Sequence, residues 1–497
     1  MILTIYDISG IQSFIFATNK LKEIIGASII VNKILHREIP RLFGEAEDDW
    51  AENEFTFDSH DKTKTIYIGG GNALVMYDSP ETERNMTRKL QERFFHLAGG
   101  GIRLCSASIE ADLSLTLKEN QARLMPILAE NKYRTSNPLA ARGISINAHD
   151  NQTFEPLLLF DKVYSSHTTY CKLNAYKEGH KTAFSELMPD NRKLIFVKDI
   201  DFYKKEDKEK FLAVIHIDGN TMGIRIREFV DKLKGNLIDD LNQLKTLSAE
   251  INGKFKNALS KTISELYSNT DNDEILFRPI IADGDDITVI CAGSDAFNVV
   301  STFIRNLEAE NLTDNMAFTV GAGIAFVKFG YPFYDAYEIA EQCCKNAKVK
   351  TLSREQQYKS SIDFQICYSG ITTDISHYRA RYFTFINNKE KYNLLLRPYT
   401  FNGSQPEFSF TSFTNLQNEI YGNITRTKLK TLRNEYGKGV LSARTYCDFL
   451  LGRAKDEEEK QLLKKIGDPF IEYEGEYYAK LFDILDIMDI MKEGDFD

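Results

Sequence analysis

The sequence has 497 residues, 42% of them hydrophobic, which is enough for two to four domains with buried cores. Its net charge of −10 argues against a protein dedicated to wrapping nucleic acid, although a local basic patch is compatible with it. Its seven cysteines form no C-x-x-C pair, and no stretch approaches the roughly 18 apolar residues of a membrane span, which predicts a cytoplasmic protein without a membrane anchor.

The first predicted unit covers residues 1–115 in the order strand, helix, hairpin, helix, strand. An apolar strand ends at Asp7, a helical pattern runs from about Gln12 to Leu42, and two β-rich runs meet at a Gly-rich turn. A charged helix from about Pro80 to Leu97 and the strand IRLCSASIEA complete the unit. This order is the β-α-β-β-α-β plan of a ferredoxin-like sheet.

The same order returns in a second unit, residues 206–370. The strand FLAVIHIDGN ends at Asp218, an amphipathic segment follows from about Ile226 to Tyr267, and a hairpin turns at DGDD. A helix from about Asp295 to Glu310 and the strand AFTVGAGIAFVKF complete it, and a further helix and strand extend it.

The two units have matching spacings. Asp7 lies 71 − 7 = 64 residues before Gly71, and Asp218 lies 285 − 218 = 67 residues before Asp285. Matching order and spacing favour an internal duplication, and chance similarity of two common α/β units is the alternative.

The predicted fold class is therefore α+β, with two ferredoxin-like domains and two further regions. Residues 116–205 are predicted to form a mixed, mainly helical linker domain, and residues 371–497 a helical C-terminal domain.

Three carboxylates suggest a metal site in the second unit. In a ferredoxin-like sheet the end of the first strand lies beside the tip of the central hairpin, so Asp218 is expected to approach Asp285 and Asp286. Convergent carboxylates are what Mg²⁺ or Mn²⁺ requires, and without a cation they would repel one another. The alternative is a solvated Asp-Gly hairpin turn, a common structure by itself.

Several small or basic residues near these carboxylates are candidates for contact with phosphate. Glycines let backbone N–H groups approach phosphate oxygens, and lysines supply point charges, although lysines on a helix are often only solvated. The candidates are Gly219, Asn220, Gly223, Gly284, Lys348 and Lys350.

The motifs together resemble a known family. DISGIQSFIF, the GGGN hairpin, HIDGNTMG, DGDD and VGAGIAFVKFGYPFYDAYEIAEQCCKNAKVK with SSIDFQI are similar to the polymerase-cyclase large subunit of type III CRISPR effector complexes, the Cas-ten family. The likeness covers roughly residues 1–115 and 206–370. Each motif alone is weak evidence for the family, whereas the motifs together are specific.

The resemblance implies two palm domains that face one another, with nucleotides bound at their interface. In that family a Gly-Gly-Asp-Asp motif in the second palm holds Mg²⁺ and joins ATP molecules into cyclic oligoadenylates, which act as second messengers in antiviral defence. Related nucleotidyl cyclases keep a triphosphate-binding lysine where Lys348 stands. On this sequence the motif and its strand carboxylate fall on Asp283, Gly284, Asp285, Asp286 and Asp218.

The sequence departs from the family pattern in several places. Asp283 replaces the first motif glycine, and the first palm has Gly71-Asn72 where acids would be needed, so that palm is expected to be degenerate. Gly70 and Asn72 are then candidate contacts for an acceptor nucleotide. The sequence is interpreted as a short form without the HD nuclease domain, because the dipeptides His60-Asp61 and His149-Asp150 stand in turn-like contexts.

Two hypotheses follow. In the first, the protein is a nucleotidyltransferase that joins ATP or another nucleoside triphosphate into a cyclic product, either within an effector complex or alone as a cyclic dinucleotide synthase. In the second, it is a non-catalytic scaffold that binds guide or target RNA and other effector subunits. The basic residues available for the second role are Arg426, Lys428, Lys430 and Arg433.

Overall fold

The computed structural model describes residues 1–44, 55–57, 61–135, 148–151, 154–160, 162–188, 194–198, 211–268, 274–310, 317–368 and 374–490. His60 lies outside these residues. The chain divides into two compact units: one is formed by residues 1–200, 221–288 and 305–318, and the other by residues 201–220, 289–304 and 319–497. Each unit therefore takes up segments from separate parts of the sequence.

The strands of the first part of the chain are β1 Ile2–Ser9, β2 Thr63–Gly69, β3 Asn72–Tyr77, β4 Arg103–Glu110, β5 Leu158–Phe160, β6 Val163–Ser165 and β7 Ile195–Phe196. Those that follow are β8 Phe211–Gly219, β9 Glu274–Ile275, β10 Phe277–Asp283, β11 Asp286–Ala292, β12 Val320–Lys328, β13 Ser361–Cys367, β14 Thr384–Asn387, β15 Glu390–Asn393, β16 Tyr399–Thr400, β17 Phe470–Tyr473 and β18 Glu476–Ala479.

The helices up to residue 267 are α1 Ile11–Ile15, α2 Leu21–Lys33, α3 Ile39–Leu42, α4 Pro80–Ala98, α5 Leu117–Thr135, α6 His167–Gly179, α7 Met222–Lys232 and α8 Leu237–Tyr267. A π-helical turn, Ile34–Glu38, joins α2 to α3. The later helices are α9 Ala296–Glu308, α10 Phe333–Glu355, α11 Ile375–Tyr382, α12 Phe410–Asn423, α13 Arg426–Lys438, α14 Val440–Gly452, α15 Glu457–Ile466 and α16 Phe482–Ile487.

Both predicted ferredoxin-like sheets are present. The first has the strand order β2-β3-β1-β4, and a six-stranded sheet begins with the equivalent order β10-β11-β8-β12 and continues with β13 and β16. Strand β1 pairs antiparallel with both β3 and β4, which places Asp7 opposite Asn72 on one side. Strands β1 and β8 have neighbours on both sides, and their residues are almost continuously buried, as in central strands. The α+β prediction is confirmed.

Local sequence signals explain the helix that follows the first hairpin. Helix α4 begins at Pro80, whose missing N–H costs nothing at the first helical position, and the Ser79 hydroxyl accepts a hydrogen bond from Thr82 N–H at 3.2 Å. It ends at Gly99, which takes the left-handed conformation (φ +64°) that favours glycine. The predicted boundaries, Pro80 to Leu97, differ from the observed ones by one residue.

The helix predicted over residues 12–42 is divided instead into α1, α2 and α3. The Lys172 ammonium donates a hydrogen bond to the Phe14 carbonyl oxygen at 2.6 Å. In a continuous helix this oxygen would accept from the backbone N–H four residues later, but here it is bonded to a side chain outside the helix. The sequence pattern could not reveal this, because Lys172 is 158 residues away.

Each unit has its own apolar core. In the unit that contains the first sheet, Leu3, Leu74 and Leu124 pack with Leu241 and Leu244 of α8. The core of the other unit includes an aromatic cluster, in which the ring of Phe297 contacts the rings of Phe326, Phe364, Phe410 and Phe413.

The region after residue 370 is helical, as predicted, and it also contains strands that the sequence did not reveal. Strands β14, β15, β18 and β17 form a four-stranded sheet in that order. Among the residues described by the structure, no helix combines the length and apolar character that crossing a bilayer would need.

Candidate functional site

Asp218 forms an ion pair at the end of β8. Its side chain is 42% exposed, and Lys348 Nζ of α10 donates to Asp218 Oδ2 at 2.5 Å. The same ammonium donates to the Gly219 carbonyl oxygen at 2.8 Å. Lys348 is only 17% exposed, so its charge is held at the strand end. The structure thus brings together Asp218, Gly219 and Lys348 of the predicted site.

Two glycines of β12 make this pair possible. Gly321 lies opposite Asp218 in the sheet, and a Cβ atom on Gly321 would stand 2.6 Å from Lys348 Cγ. A Cβ atom on Gly323 would stand 1.9 Å from the Ala340 carbonyl oxygen. Both glycines therefore let α10 approach the strand closely. The sequence analysis did not single them out, although the G-x-G pattern in an otherwise bulky strand was a signal of close backbone approach.

His216 precedes Asp218 on the same face of β8. Burial lowers the pKa of the His216 imidazole to about 4, against the opposing effect of Asp218. The ring is therefore neutral at physiological pH, and it contacts the Tyr337 ring at a centroid distance of 5.5 Å. It fills the space between β8 and α10 without adding positive charge.

The other candidates near Asp218 have different surroundings. The Asn220 side chain is buried and donates to Thr319 Oγ1 at 3.0 Å and to the Lys359 carbonyl oxygen at 3.2 Å, so its amide serves the fold. Lys350 is exposed on α10, where its charge helps to lower the pKa of the Glu476 carboxyl. Gly223 belongs to the other compact unit, where it lies in the first turn of α7 with open space around its Cα.

Asp285 and Asp286 line a cavity of about 460 Å³ in the unit that contains the first sheet. Both carboxylates are half-buried. The opposite wall comes from α1, α2 and the first hairpin turn, including Ser13, Asn32 and Gly70. The predicted acceptor contact Gly70 and the acidic pair therefore share one cavity, whose lining mixes apolar side chains with amide and hydroxyl groups.

Two glycine-containing turns shape the mouth of this cavity. Gly284 has φ +62° and its N–H donates to Asn252 Oδ1 of α8 at 3.2 Å. Gly70 has φ +59°, and Asn72 Nδ2 donates to the Gly70 carbonyl oxygen at 3.2 Å. The Asn72 side chain thus forms a hydrogen bond within its own turn. In the second hairpin the equivalent position is occupied by Asp286, which has a carboxylate.

Asp283 is bonded across to the first hairpin. Its Oδ2 accepts from Gly71 N–H at 3.3 Å, and its Oδ1 lies 3.7 Å from His36 Nε2. Burial acts to raise the pKa of the Asp283 carboxyl, but His36, Lys256 and Gly71 N–H outweigh it and hold the pKa below its usual range. Asp283 is therefore charged at neutral pH, with an oxygen already engaged.

The first sheet carries a second lysine–aspartate pair that the sequence analysis did not identify. Lys132 Nζ of α5 lies 2.6 Å from Asp7 Oδ2, and Ser9 Oγ donates to Asp7 Oδ1 at 2.9 Å. Lys132 and Lys348 stand at equal distances from the first residues of their helices, 132 − 117 = 15 and 348 − 333 = 15. This equal offset agrees with the internal repeat and was a readable signal for Lys132. The first sheet keeps the lysine–aspartate pair, although its hairpin turn has no acidic residues.

The carboxylates present are of the type that a hard divalent cation takes. Asp285 and Asp286 are adjacent, half-buried oxygen donors on a cavity wall, and Asp218 shares one oxygen with Lys348. Over the described ranges, no three His, Cys, Asp or Glu side chains are arranged as a ready-made metal cluster. The donor chemistry fits Mg²⁺ or Mn²⁺ at the acidic pair.

The basic residues of α13 are all paired with carboxylates. Lys428 Nζ lies 2.6 Å from Glu459, which is fully buried, and Arg433 lies 2.5 Å from Asp486. Arg426 and Lys430 share Asp489, at 2.8 and 3.2 Å. This face is locally neutralised, so it is not the uncompensated basic patch that an RNA backbone would select.

Residues 211–357 match the family model described as Cas10/Cmr2, second palm domain. The comparison with curated proteins finds no match. Among solved structures, the chain is similar to Csm1 in T. onnurineus, at 14% identity and a TM-score of 0.52, with 99% of this chain and 70% of that chain covered. It is also similar to the Csm1–Csm4 cassette in complex with pppApA, at 13% identity and a TM-score of 0.52, with 99% and 69% covered. The resemblance predicted from the motifs is confirmed.

Proposed function

We propose that this Cas10-like chain, whose residues 211–357 match the second palm domain of Cas10/Cmr2, is a nucleotidyltransferase that makes cyclic oligonucleotides from nucleoside triphosphates. The observation that carries the proposal is the cavity lined by Asp285 and Asp286, opposite a hairpin turn without acids. ATP is the proposed substrate, since one similar structure holds pppApA.

The donor nucleotide is assigned to the second palm. The internal repeat supports placing Asp218 with Asp286, because Asp7 and Asn72, their equivalents in the first palm, are direct partners across β1 and β3. Lys348 supplies a positive charge for the triphosphate, and the Gly284 turn allows close approach of backbone. Asp285, Asp286 and Asp218 would hold Mg²⁺ or Mn²⁺, which would acidify the attacking hydroxyl and neutralise the pyrophosphate.

The acceptor nucleotide is assigned to the first palm. Its base and ribose would occupy the cavity wall formed by α1, α2 and Gly70, and the Lys132–Asp7 pair would provide the phosphate contact. The acceptor 3′-hydroxyl oxygen forms a bond to the donor α-phosphorus, the bond from that phosphorus to the bridging oxygen breaks, and pyrophosphate leaves. The hydroxyl proton passes to solvent. Repetition followed by ring closure gives the cyclic product, and positioning supplies most of the catalysis.

The partners proposed for the chain follow from the same relatives. One of the similar structures is a Csm1–Csm4 cassette, so the chain is proposed to act with a further subunit of a type III CRISPR effector in antiviral defence. Because the cations of α13 are paired within the chain, guide or target RNA is proposed to contact the further subunit rather than this helix. The ring size of the product and the base preference for the substrate would be determined by product analysis.

Product analysis tests the proposal. The full chain is incubated with Mg²⁺ or Mn²⁺ and the four nucleoside triphosphates, with and without single-stranded RNA, and the products are identified by mass spectrometry. We expect pyrophosphate and an oligonucleotide ring, reduced about a hundredfold or more in Asp285→Asn/Asp286→Asn. Lys348→Gln should lose activity, while Lys345→Gln, which removes an exposed lysine of α10 paired with Glu341, should not. Absence of product under every condition, with RNA binding that is steep in salt, would support the scaffold instead.

A further inference from the structure

The carboxylate of Asp283, the first residue of the DGDD turn, is directed at the first hairpin. Its Oδ2 accepts from the Gly71 N–H at 3.3 Å, and its Oδ1 faces His36 Nε2 at 3.7 Å. The two hairpin turns are thereby joined within one compact unit, through a side chain that is only 17% exposed. Glycine, the residue that the resembled family has here, could not form this bond.

Other contacts hold the same elements together. Ser28 Oγ of α2 donates to the Ile280 carbonyl oxygen of β10 at 2.5 Å, and Asn252 of α8 accepts from Gly284 N–H at 3.2 Å. The turns also approach closely, since a Cβ atom on Gly284 would stand 3.4 Å from Gly70 N. Among these contacts, the side chain of Asp283 accepts a hydrogen bond from the backbone of the first hairpin turn, at Gly71.

The side chain of Asp283 is not oriented as a metal ligand. A metal ligand needs its oxygen lone pairs directed at the cation, but one oxygen of Asp283 is bonded to a backbone N–H and the other faces an imidazole. The third acid of the turn is thus engaged in fixing backbone, although its sequence position suggests a third ligand.

We propose that Asp283 is a positioning residue, which fastens the Gly70–Gly71 turn to the second hairpin and so fixes where the acceptor nucleotide lies relative to Asp285 and Asp286. The assignment of the acceptor rests on the proposed function, whereas the fastening itself does not. Loss of the carboxylate should loosen the Gly71 amide and weaken use of the acceptor, and it should leave metal binding intact.

Amide hydrogen exchange of the full chain tests the fastening without any need for activity. In Asp283→Ala the peptide that spans Thr63–Tyr77 should exchange about fivefold faster at its turn, as expected for loss of one hydrogen bond. Asp283→Asn, whose amide oxygen still accepts from Gly71 N–H, should exchange like the parent. Asp112→Ala is the matched control, because it removes a carboxylate that accepts from Ser114 N–H at 2.9 Å away from the cavity.

Equal exchange in Asp283→Ala and the parent would overturn the proposal, as would fast exchange in Asp283→Asn. If Asp283→Ala does not fold, Asp283→Gly replaces it, with the same expected and contradicting results. These outcomes stand even if the protein makes no product, so failure of the fastening is distinguishable from failure of the proposed function.

Kinetics then test the positioning role. With labelled triphosphate, Asp283→Ala should raise KM by about fivefold or more, with Asp283→Asn restoring the parent value and the apparent affinity for Mn²⁺ equal in all three proteins. If Asp283 were a metal ligand, Asp283→Asn would fail to rescue and both variants would need more Mn²⁺. That result would contradict the proposal.

Discussion

At the residue scale, the Asp218–Lys348 pair depends on the absence of a side chain at position 321. Gly321→Ala would place a Cβ atom 2.6 Å from Lys348 Cγ, and the flexible lysine stem would be displaced rather than the backbone. We expect a stability loss of about 1 kcal/mol and roughly tenfold weaker binding of a non-hydrolysable triphosphate by calorimetry.

The control for Gly321→Ala is Gly422→Ala, since a Cβ atom on Gly422 would meet no neighbouring atom within 4 Å. Lys348→Gln should weaken binding to the same extent as Gly321→Ala. If Gly321→Ala binds the triphosphate like the parent while Lys348→Gln loses binding, the proposed dependence of the lysine's position on Gly321 is wrong.

Two lysines of α13 offer a further comparison at this scale. Lys428→Ala would leave the buried Glu459 carboxylate without its ammonium, although Lys455 N–H still donates to it at 2.7 Å. We expect a loss of about 2 kcal/mol in the free energy of unfolding, measured by denaturant titration. Lys430→Ala breaks a more exposed pair with Asp489 and should cost about 0.5 kcal/mol or less. Equal losses, or a large loss of RNA binding in Lys430→Ala, would contradict this account.

At the element scale, α2 crosses α6 at Gly26. A Cβ atom there would stand 1.9 Å from the Lys172 carbonyl oxygen, a backbone atom that cannot rotate away. Gly26→Ala should therefore separate the helices and cost about 3 kcal/mol or more in the free energy of unfolding. Because α2 carries Ser28 and Asn32 on the cavity wall, the KM for the triphosphate should also rise.

The control for Gly26→Ala is Gly253→Ala in α8, where the structure leaves open space around the glycine. That change should be neutral or should stabilise the chain by up to about 1 kcal/mol, because alanine is the better helix former. A thermal melt compares the two variants. If Gly26→Ala melts with the parent, the close crossing of α2 and α6 is wrong.

Elements with strong local signals were predictable from the sequence. The hairpin at Gly69–Asn72 and the helix after Ser79 follow from turn glycines, a cap and a proline, which act on neighbouring residues. The break after α1 was not predictable, because it depends on a lysine from α6. Short strands such as β14 and β15 were also missed, since four residues are too few to show an alternating pattern.

At the scale of the whole molecule, duplication made the candidate site partly predictable. Lys348 was predicted as a phosphate contact from its charge and its place near the carboxylates, with support from the resemblance, and the structure pairs it with Asp218. Lys132 and His36 were missed because each meets its carboxylate across more than 100 residues. The only signal for Lys132 was its offset in the internal repeat, and the residues near His36 in the sequence do not indicate its contact. The contact of Asp283 could likewise not be predicted from the sequence, since its partner is a backbone N–H of another hairpin.

The net charge of −10 has a consequence at the same scale. Paired surface cations leave little free positive potential on the described part of α13, so RNA affinity of the isolated chain should be weak and fall gently with salt. Filter binding between about 50 and about 200 mM salt measures that slope. A steep slope would place an RNA-binding surface on this chain rather than on its partners.

We propose that the acidic hairpin turn with Asp285 and Asp286, and not the first hairpin turn, binds the catalytic metal. Paramagnetic resonance of Mn²⁺, with a non-hydrolysable triphosphate present, measures this in the full chain. We predict that the parent and Asp112→Asn bind Mn²⁺ equally and that Asp285→Asn/Asp286→Asn loses the bound signal. Retention of the same bound Mn²⁺ by Asp285→Asn/Asp286→Asn would contradict the account.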